Sequence, residues 1–207
     1  MKKKIYLLPV TIIFAILLAD QIFKIWIKTN MTIGEEIPVF GNWFLLHFTE
    51  NNGMAFGMEF FGKSGKLILS IFRVAAVAAI GFYLWHLIRK KTSTMIIFCF
   101  SLIIAGALGN ILDSAFYGLI FSESTPYNIA VLFPEGGGYT HFLHGKVVDM
   151  LYFPVIDIAK NTAPSWLPDF LFGSDGRFIF FRPIFNIADS AITIGVVLLL
   201  IFFRKMK

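Results

Sequence analysis

Four apolar runs, each long enough to cross a lipid bilayer, are the feature that most constrains the fold of this chain. A helix needs about 20 mostly apolar residues to span the hydrocarbon core. Of the 207 residues, 57% are hydrophobic and only 15% are charged, a balance outside the range of soluble domains. We therefore expect one integral membrane domain over 1–207, an all-α bundle of four transmembrane helices. The runs cover about 5–27, 67–88, 94–112 and 184–203.

Clusters of basic residues at the ends of these runs indicate their orientation. Segments on the cytoplasmic side of a membrane retain Lys and Arg. Three such clusters, at 2–4, 89–91 and 204–207, have no acidic residue beside them. We expect both termini on the cytoplasmic side. The net charge of +5 is then a topology signal, so nucleic-acid binding is not expected. The outer segments are 28–66 and 113–183.

The first 20 residues also resemble a cleavable signal sequence, with a basic start followed by an apolar run. No A-x-A-like cleavage site follows them, and the apolar pattern continues through IFKIWI at 22–27. We therefore expect this run to remain as the first span.

The outer segments alternate short apolar stretches with turn residues. In 32–57, Gly and Asn separate stretches of strand length, which predicts a few short strands. This piece is too small for a core of its own, so we expect a β-rich platform on the bilayer with Trp43 at headgroup level. The second segment contains a strand-like stretch, GKVVDMLYF at 145–153, between loops.

Polar side chains lie within the runs, close to the outer face. Ionisable groups at such depth are rare and usually functional. Asp20 and Lys24 are spaced i,i+4, so mutual neutralisation is an alternative to a functional role. Arg73 has a structural alternative too, in which it reaches toward the surface or pairs with a carboxylate. The other members are Gln21, Asn110, Asp113, Asn186 and Asp189.

The third and fourth runs share the pattern N-x-x-D, in GNILD and FNIAD. A spacing of three places both side chains on one helix face. With a rise of about 1.5 Å per residue from the cytoplasmic ends, Asn110 lies level with Asp189, and Asn186 with Asp113. If the two helices are neighbours, each Asn faces the Asp of the other helix and can donate a hydrogen bond to it.

The strand-like stretch supplies a second candidate acid. Hydrolysis of an amide by carboxylates takes two of them, one ionised to activate water and one protonated to donate. On a strand over 145–153, Asp149 falls in an apolar row where a solvent-facing acid is not expected. Two alternatives remain: Asp113 is the partner of Asp189, or the opposite face of the strand is the buried one.

The same buried acids would suit a small transporter or a proton or ion channel, which is the alternative function. The acids cluster near one face, however, and the cytoplasmic halves of the second and fourth runs hold almost nothing polar apart from His86. This distribution argues against conduction. His141 and His144 lack a third ligand and an H-E-x-x-H pattern, so no metal site is expected.

Five motifs, in order along the chain, resemble those of the lipoprotein signal peptidases, also called signal peptidase II. The resemblance implies a multi-pass aspartic endopeptidase of the bacterial inner membrane, with its active site near the outer, periplasmic face and no metal or cofactor. Its partners would be membrane lipids and a lipid-modified prolipoprotein, cut before the diacylglyceryl cysteine, and a monomer is expected. The motifs are DQIFK (20–24), NNGMAFG (51–57), GNILD (109–113), VVDMLYF (147–153) and FNIAD (185–189).

The resemblance also implies roles for individual residues. Asp149 and Asp189 look like the catalytic pair. Asn110 and Asn186 look like the residues that position this pair and the substrate backbone, and Asp113 looks like a member of the same polar cluster. The implied substrate contacts are Asn51 and Gly53, and the implied first-helix supports are Asp20 and Lys24.

Two departures from the family pattern bear on the site. Many members carry Arg directly after the third-helix Asp, where this chain has Ser114. Arg73 and Arg182 are the candidate substitutes for that Arg. The outer sequence around 120–140 and 155–180 is also longer than in the family's minimal form, which suggests a cover over the site or a change in substrate choice.

Overall fold

Long apolar helices dominate the computed structural model, which describes residues 2–52, 62–164 and 166–203. Within these ranges, three helical stretches are long and apolar enough to cross a membrane, and a fourth apolar helix is shorter. The first outer segment is shorter than predicted, because the first helix continues to Asn30 and the second begins at Gly62. The helices are α1 (Lys2–Asn30), α2 (Gly62–Arg89), α3 (Thr94–Leu112), α4 (Gly118–Ile120) and α5 (Ile187–Phe203).

The predicted β-rich platform is a four-stranded antiparallel sheet with the strand order β1-β2-β3-β6. Strands β4 and β5 form a separate hairpin between β3 and β6 in the chain. The strands are β1 (Glu36–Phe40), β2 (Phe44–Asn51), β3 (Val147–Tyr152), β4 (Ile156–Ala159), β5 (Arg177–Phe180) and β6 (Ile184–Phe185).

One hydrophobic core joins this sheet to the ends of α1 and α3. Apolar side chains from β2 and β3 meet the last turns of α1 and the aromatic residues that follow α3. The sheet is therefore fixed to the helices by apolar burial, and a strand of the sheet can hold a side chain in register with the helix ends. The buried members are Ile27, Met31, Leu46, Phe48, Tyr117, Phe121, Ala130, Val148 and Met150.

The predicted start of the fourth run, at residue 184, is wrong. Ile184 and Phe185 form β6 and pair with β3, as suits a β-branched and an aromatic residue. The helix begins at Ile187, and the Asn186 side chain accepts a hydrogen bond from the Asp189 backbone N–H at 2.8 Å. An Asn that satisfies a free N-terminal donor is a helix N-cap, so it ends the strand and starts the helix.

The third run extends beyond its predicted end at residue 112. After α3 the chain makes a π-helical turn over Asp113–Tyr117 and continues into α4. Such turns often occur at functional sites. Here the turn carries the buried Asp113 and Tyr117 at the point where the helix meets the sheet.

Helices α3 and α5 approach closely because two glycines of α3 leave room for α5. A Cβ added at Gly106 would lie 2.1 Å from the Ala188 carbonyl oxygen, and one added at Gly109 would lie 3.0 Å from the Ala188 Cβ. The third and fourth runs are therefore neighbours, which is the condition on which the expected pairing of Asn with Asp depends. Small residues at such positions let helix backbones pack in membranes.

Replacing Gly106 with Ala is expected to destabilise the protein by about 1–3 kcal/mol, the usual effect of overpacking, because the new Cβ meets backbone rather than a movable side chain. Gly81→Ala is the matched control, since a Cβ there has nothing within 4 Å. We expect that control to be neutral or stabilising. Thermal unfolding in detergent measures both variants. Equal unfolding temperatures for them would contradict the close approach.

Candidate active site

Asp149 on β3 and Asp189 in the first turn of α5 are connected through two asparagines. Asn186 Nδ2 donates to Asp149 Oδ1 at 2.7 Å, and Asn110 Nδ2 donates to Asp189 Oδ1 at 2.7 Å. The two amides bond each other, from Asn186 Nδ2 to Asn110 Oδ1 at 3.2 Å. We call this set the asparagine bridge. It brings together four predicted residues from the sheet, α3 and the start of α5.

The expected cross-helix pairing of Asn with Asp is correct for one pair and wrong for the other. Asn110 bonds Asp189 as predicted. Among the described residues, Asn186 donates to Asp149, to Asn110 and to the Val148 carbonyl oxygen at 3.2 Å, and not to Asp113. The difference arises because Asn186 lies before the first residue of α5, so the height estimated from the helical rise per residue does not apply to its side chain.

Asp149 is buried although it lies on the face of β3 opposite the hydrophobic core. Only 3% of the residue is exposed. Val148 and Met150 point into the core, while Val147 on the face of Asp149 is buried as well, so both faces of the strand are buried here. Asp149 is buried on the other face, where the Asn51 side chain of the neighbouring strand β2 donates to its Oδ2.

Burial raises the pKa of the Asp149 carboxyl to about 7, and the negative charge of Asp189 acts in the same direction. The charge of Lys24 and the hydrogen bond from Asn186 oppose this shift. Near neutral pH the carboxyl is therefore divided between its protonated and ionised forms. Asp189 is only partly buried. The two acids thus differ in environment, as acid and base roles require.

Lys24 of α1 supports the asparagine bridge through contacts with Asn110 and two carboxylates. Its Nζ lies 2.9 Å from Asp20 Oδ2 and 2.8 Å from Asp113 Oδ2, and its side chain is fully buried. It also donates to Asn110 Oδ1 at 3.1 Å. The expected ion pair between Asp20 and Lys24 is therefore present. The same ammonium group also contacts the Asp113 carboxylate and Asn110 of the bridge. The bridge is thus held from the α1 side.

This support also includes Gln21, one of the predicted polar members, and Tyr117, which the sequence did not single out. Gln21 Nε2 donates to Asp113 Oδ1 at 2.9 Å, and its Oε1 accepts from the Tyr117 hydroxyl at 3.2 Å. The available signal for Tyr117 is its spacing, since it follows Asp113 by four helical positions. Backbone donors complete the set: Ala188 N–H bonds Asp20 at 2.9 Å and Val148 N–H bonds Asp113 at 3.3 Å.

Comparison with known proteins shows the family of the chain. The family model described as Signal peptidase (SPase) II matches residues 12–205. The chain belongs to the signal peptidase II family. It is similar to the lipoprotein signal peptidase of Porphyromonas gingivalis, with 49% identity over 94% of this chain and 81% of that one. That of Amoebophilus asiaticus is 37% identical, over 88% and 71%.

Solved structures resemble the chain as well. Two bacterial membrane enzymes determined by the in meso method, at 2.3 and 1.9 Å resolution, align with TM-scores of 0.58 and 0.59. Their sequences are 25% and 26% identical, and the alignments cover 95% and 96% of this chain and 87% and 94% of theirs. The chain is thus a membrane protein of a signal peptidase family, which does not favour the transporter alternative.

One of the two candidate substitutes for the family Arg is engaged elsewhere. Arg182 forms two hydrogen bonds with Asp175, at 3.0 and 3.1 Å, on the hairpin side of the sheet. Arg73 on α2 interacts electrostatically with Asp189, Asp113 and Asp149. Ser114 itself donates to the Asn110 carbonyl oxygen at 3.0 Å. Arg73 therefore remains the predicted substitute.

A second buried ion pair anchors the strand that carries Asn51. Lys28 of α1 pairs with Glu50 of β2, the residue before Asn51, and both side chains are buried. Lys28 also donates to Ser124 Oγ at 2.7 Å. Ser124 belongs to the longer outer sequence around 120–140. That addition is thus fastened to the platform beside the site, which the sequence did not predict.

Gly53, the other predicted substrate contact, lies outside the described residues. Across the described ranges, His, Cys, Asp and Glu side chains form no group of three or more that could hold a metal ion. The arrangement that the described residues do form is a carboxylate pair with amide donors on both acids.

Proposed function

We propose that this signal peptidase II family member is an aspartic endopeptidase that removes the signal peptide from lipid-modified prolipoproteins, cutting before the diacylglyceryl cysteine. The observation that carries the proposal is the asparagine bridge between Asp149 and Asp189. Two acids held by neutral donors, one buried and one partly exposed, suit the division of acid and base between a carboxylate pair. The names of the relatives support the choice of lipoprotein substrates.

In this mechanism Asp189 is the base and Asp149 the acid. Ionised Asp189 takes a proton from a water as the water oxygen attacks the scissile carbonyl carbon. Protonated Asp149 donates to the carbonyl oxygen, and later proton transfer to the amine releases the new N-terminus. Asn110 holds one oxygen of Asp189, while Asn186 and Asn51 hold the two oxygens of Asp149. Asn51 and Gly53 also contact the substrate on the outer face.

The protein works as a monomer with four spans, both termini in the cytoplasm and the site at the outer face of the inner membrane. The 17 residues of α5 extend about 25 Å at 1.5 Å per residue, a length that a bilayer accommodates by local thinning. Its Asp189 end meets the sheet, and its other end leads to the basic cluster at 204–207. Basic residues there favour a cytoplasmic end.

The test is cleavage of a prolipoprotein by the purified protein in lipid nanodiscs. We expect one product, a mature chain that begins with diacylglyceryl cysteine, identified by mass spectrometry. A matched substrate whose cysteine is replaced by serine, and which therefore carries no lipid, should stay uncleaved. Cleavage of both substrates at similar rates, or at a different bond, would reject the proposed specificity.

The rate of cleavage is expected to fall as the pH rises through about 7, the pKa of Asp149. The sign follows from its role: deprotonation removes the proton that this acid donates. Because the two acids interact, the midpoint belongs to the pair. Initial rates at low substrate concentration, with thermal unfolding measured at each pH, separate this effect from loss of structure. A rate that stays constant far above neutral pH would exclude Asp149 as the acid.

A further inference from the structure

The chain leaves the sheet after β3 and returns to it at β6 through a segment that has no core of its own. We call this segment, residues 154–183, the outer arm; residue 165 lies outside its described part. Of the described residues in the arm, only Pro154 is buried. Trp166 is 76% exposed and Phe170 83%. Large apolar side chains exposed together usually mark an interaction surface.

Both ends of the outer arm are fixed where the apolar helix α5 begins. Strands β3 and β6 pair directly, through Leu151 with Phe185 and Tyr152 with Ile184. A single residue, Asn186, separates β6 from α5. The thirty residues of the arm therefore start and end beside the first turn of the apolar helix α5.

The charges of the outer arm cancel one another. Its three basic and three acidic residues form three ion pairs, with distances of 2.8 to 3.0 Å. A neutral surface with six aromatic residues does not fit a strongly charged partner. It fits the interface between water and lipid, where aromatic side chains concentrate. The pairs are Asp157 with Arg177, Lys160 with Asp169, and Asp175 with Arg182.

An aromatic row continues from the outer arm onto the platform. Phe181 contacts Phe185 with ring centroids 5.9 Å apart, and Phe185 stacks on Phe153 at 5.7 Å. Phe153 in turn lies 4.5 Å from Phe44 and 6.3 Å from the exposed Trp43. The arm and the tip of the sheet thus present a continuous aromatic edge beside the strand that carries Asp149.

We propose that the outer arm lies in the headgroup region of the outer leaflet and anchors the sheet to the membrane surface. The occupant of its exposed aromatic surface is the lipid bilayer. Because β3 ends directly before the arm, the anchor fixes the height of Asp149 relative to the bilayer. The anchor does not depend on the proposed catalysis, and it can be measured without substrate.

Trp166 provides the probe. In a variant with Trp26, Trp43 and Trp85 replaced by Phe, in nanodiscs holding one copy each, Trp166 is the remaining tryptophan. We expect phosphatidylcholine brominated near the top of its acyl chains to quench most of the Trp166 emission, and water-soluble acrylamide to quench little of it. Emission quenched by acrylamide and unaffected by the brominated lipid would overturn the anchor. So would shielding from both quenchers, which would indicate protein rather than lipid over the arm.

A second measurement covers the case in which the triple replacement does not fold. Wild-type protein and Trp166→Phe are compared in the same brominated nanodiscs, and the difference between their emissions reports Trp166 alone. A difference that disappears in brominated lipid and is present in unbrominated lipid supports the anchor. An equal difference in both lipids overturns it.

Discussion

Asp149→Asn and Asp189→Asn are each expected to lose cleavage of a lipid-modified prolipoprotein by about 10²–10⁴-fold, the contribution of a positioned acid or base. Asparagine keeps the size of the side chain but cannot ionise or supply a carboxylic acid proton. In Asp189→Asn, the side-chain oxygen of the new residue can still accept the hydrogen bond that Asn110 Nδ2 now donates to Asp189 Oδ1 at 2.7 Å. The structure should therefore survive while the chemistry stops. Initial rates in nanodiscs measure the loss, and thermal unfolding confirms the fold.

Asp157→Asn is the matched control for these variants. Asp157 lies on the surface of the outer arm and accepts a hydrogen bond from Arg177 Nε at 2.8 Å. The same chemical change there is expected to leave the rate at the wild-type level. Wild-type cleavage by either the Asp149 or the Asp189 variant would refute the catalytic pair. Equal losses in all three variants would mean that the assay reports expression or folding.

The sequence predicted the elements of this site better than their connections. Apolar runs and basic clusters indicated the membrane helices, because a bilayer leaves few other solutions for the backbone. Helical spacing placed Asn110 beside Asp189, and this contact is present. The pairing of Asn186 failed because a few residues of strand precede α5, and hydropathy cannot separate a short apolar strand from the first turn of a helix.

Long-range packing explains what the sequence could not supply. The residues near Gly106 in the sequence do not indicate that the Ala188 carbonyl lies where a side chain at position 106 would be. Likewise, Lys28 and Glu50 are separated by 22 positions, and their pairing depends on how β2 crosses the end of α1. Catalytic chemistry was named only by the five motifs, since helix geometry alone fits a relay or an ion site equally well.

Lys24→Met is expected to destabilise the protein by about 3–5 kcal/mol, the cost of breaking a buried ion pair. Methionine fills similar volume, so the loss comes mainly from charge. The Asp20 and Asp113 carboxylates, both buried, would lose the ammonium group that lies 2.9 and 2.8 Å away. Asn110 Oδ1 would also lose a donor, which loosens the asparagine bridge and lowers activity. Thermal unfolding in detergent and the rate of cleavage measure the two effects.

Lys160→Met is the matched control for Lys24→Met, because it makes the same substitution in an ion pair that is not buried. Lys160 pairs with Asp169 at 3.0 Å, but both side chains are mostly exposed, and exposed pairs contribute about 0–1 kcal/mol. Adding Asp113→Asn to Lys24→Met should restore part of the stability, because one uncompensated charge is removed. Equal stability of the two lysine variants would show that α1 supports the site through packing alone. Failure of Asp113→Asn to rescue would point to the same conclusion.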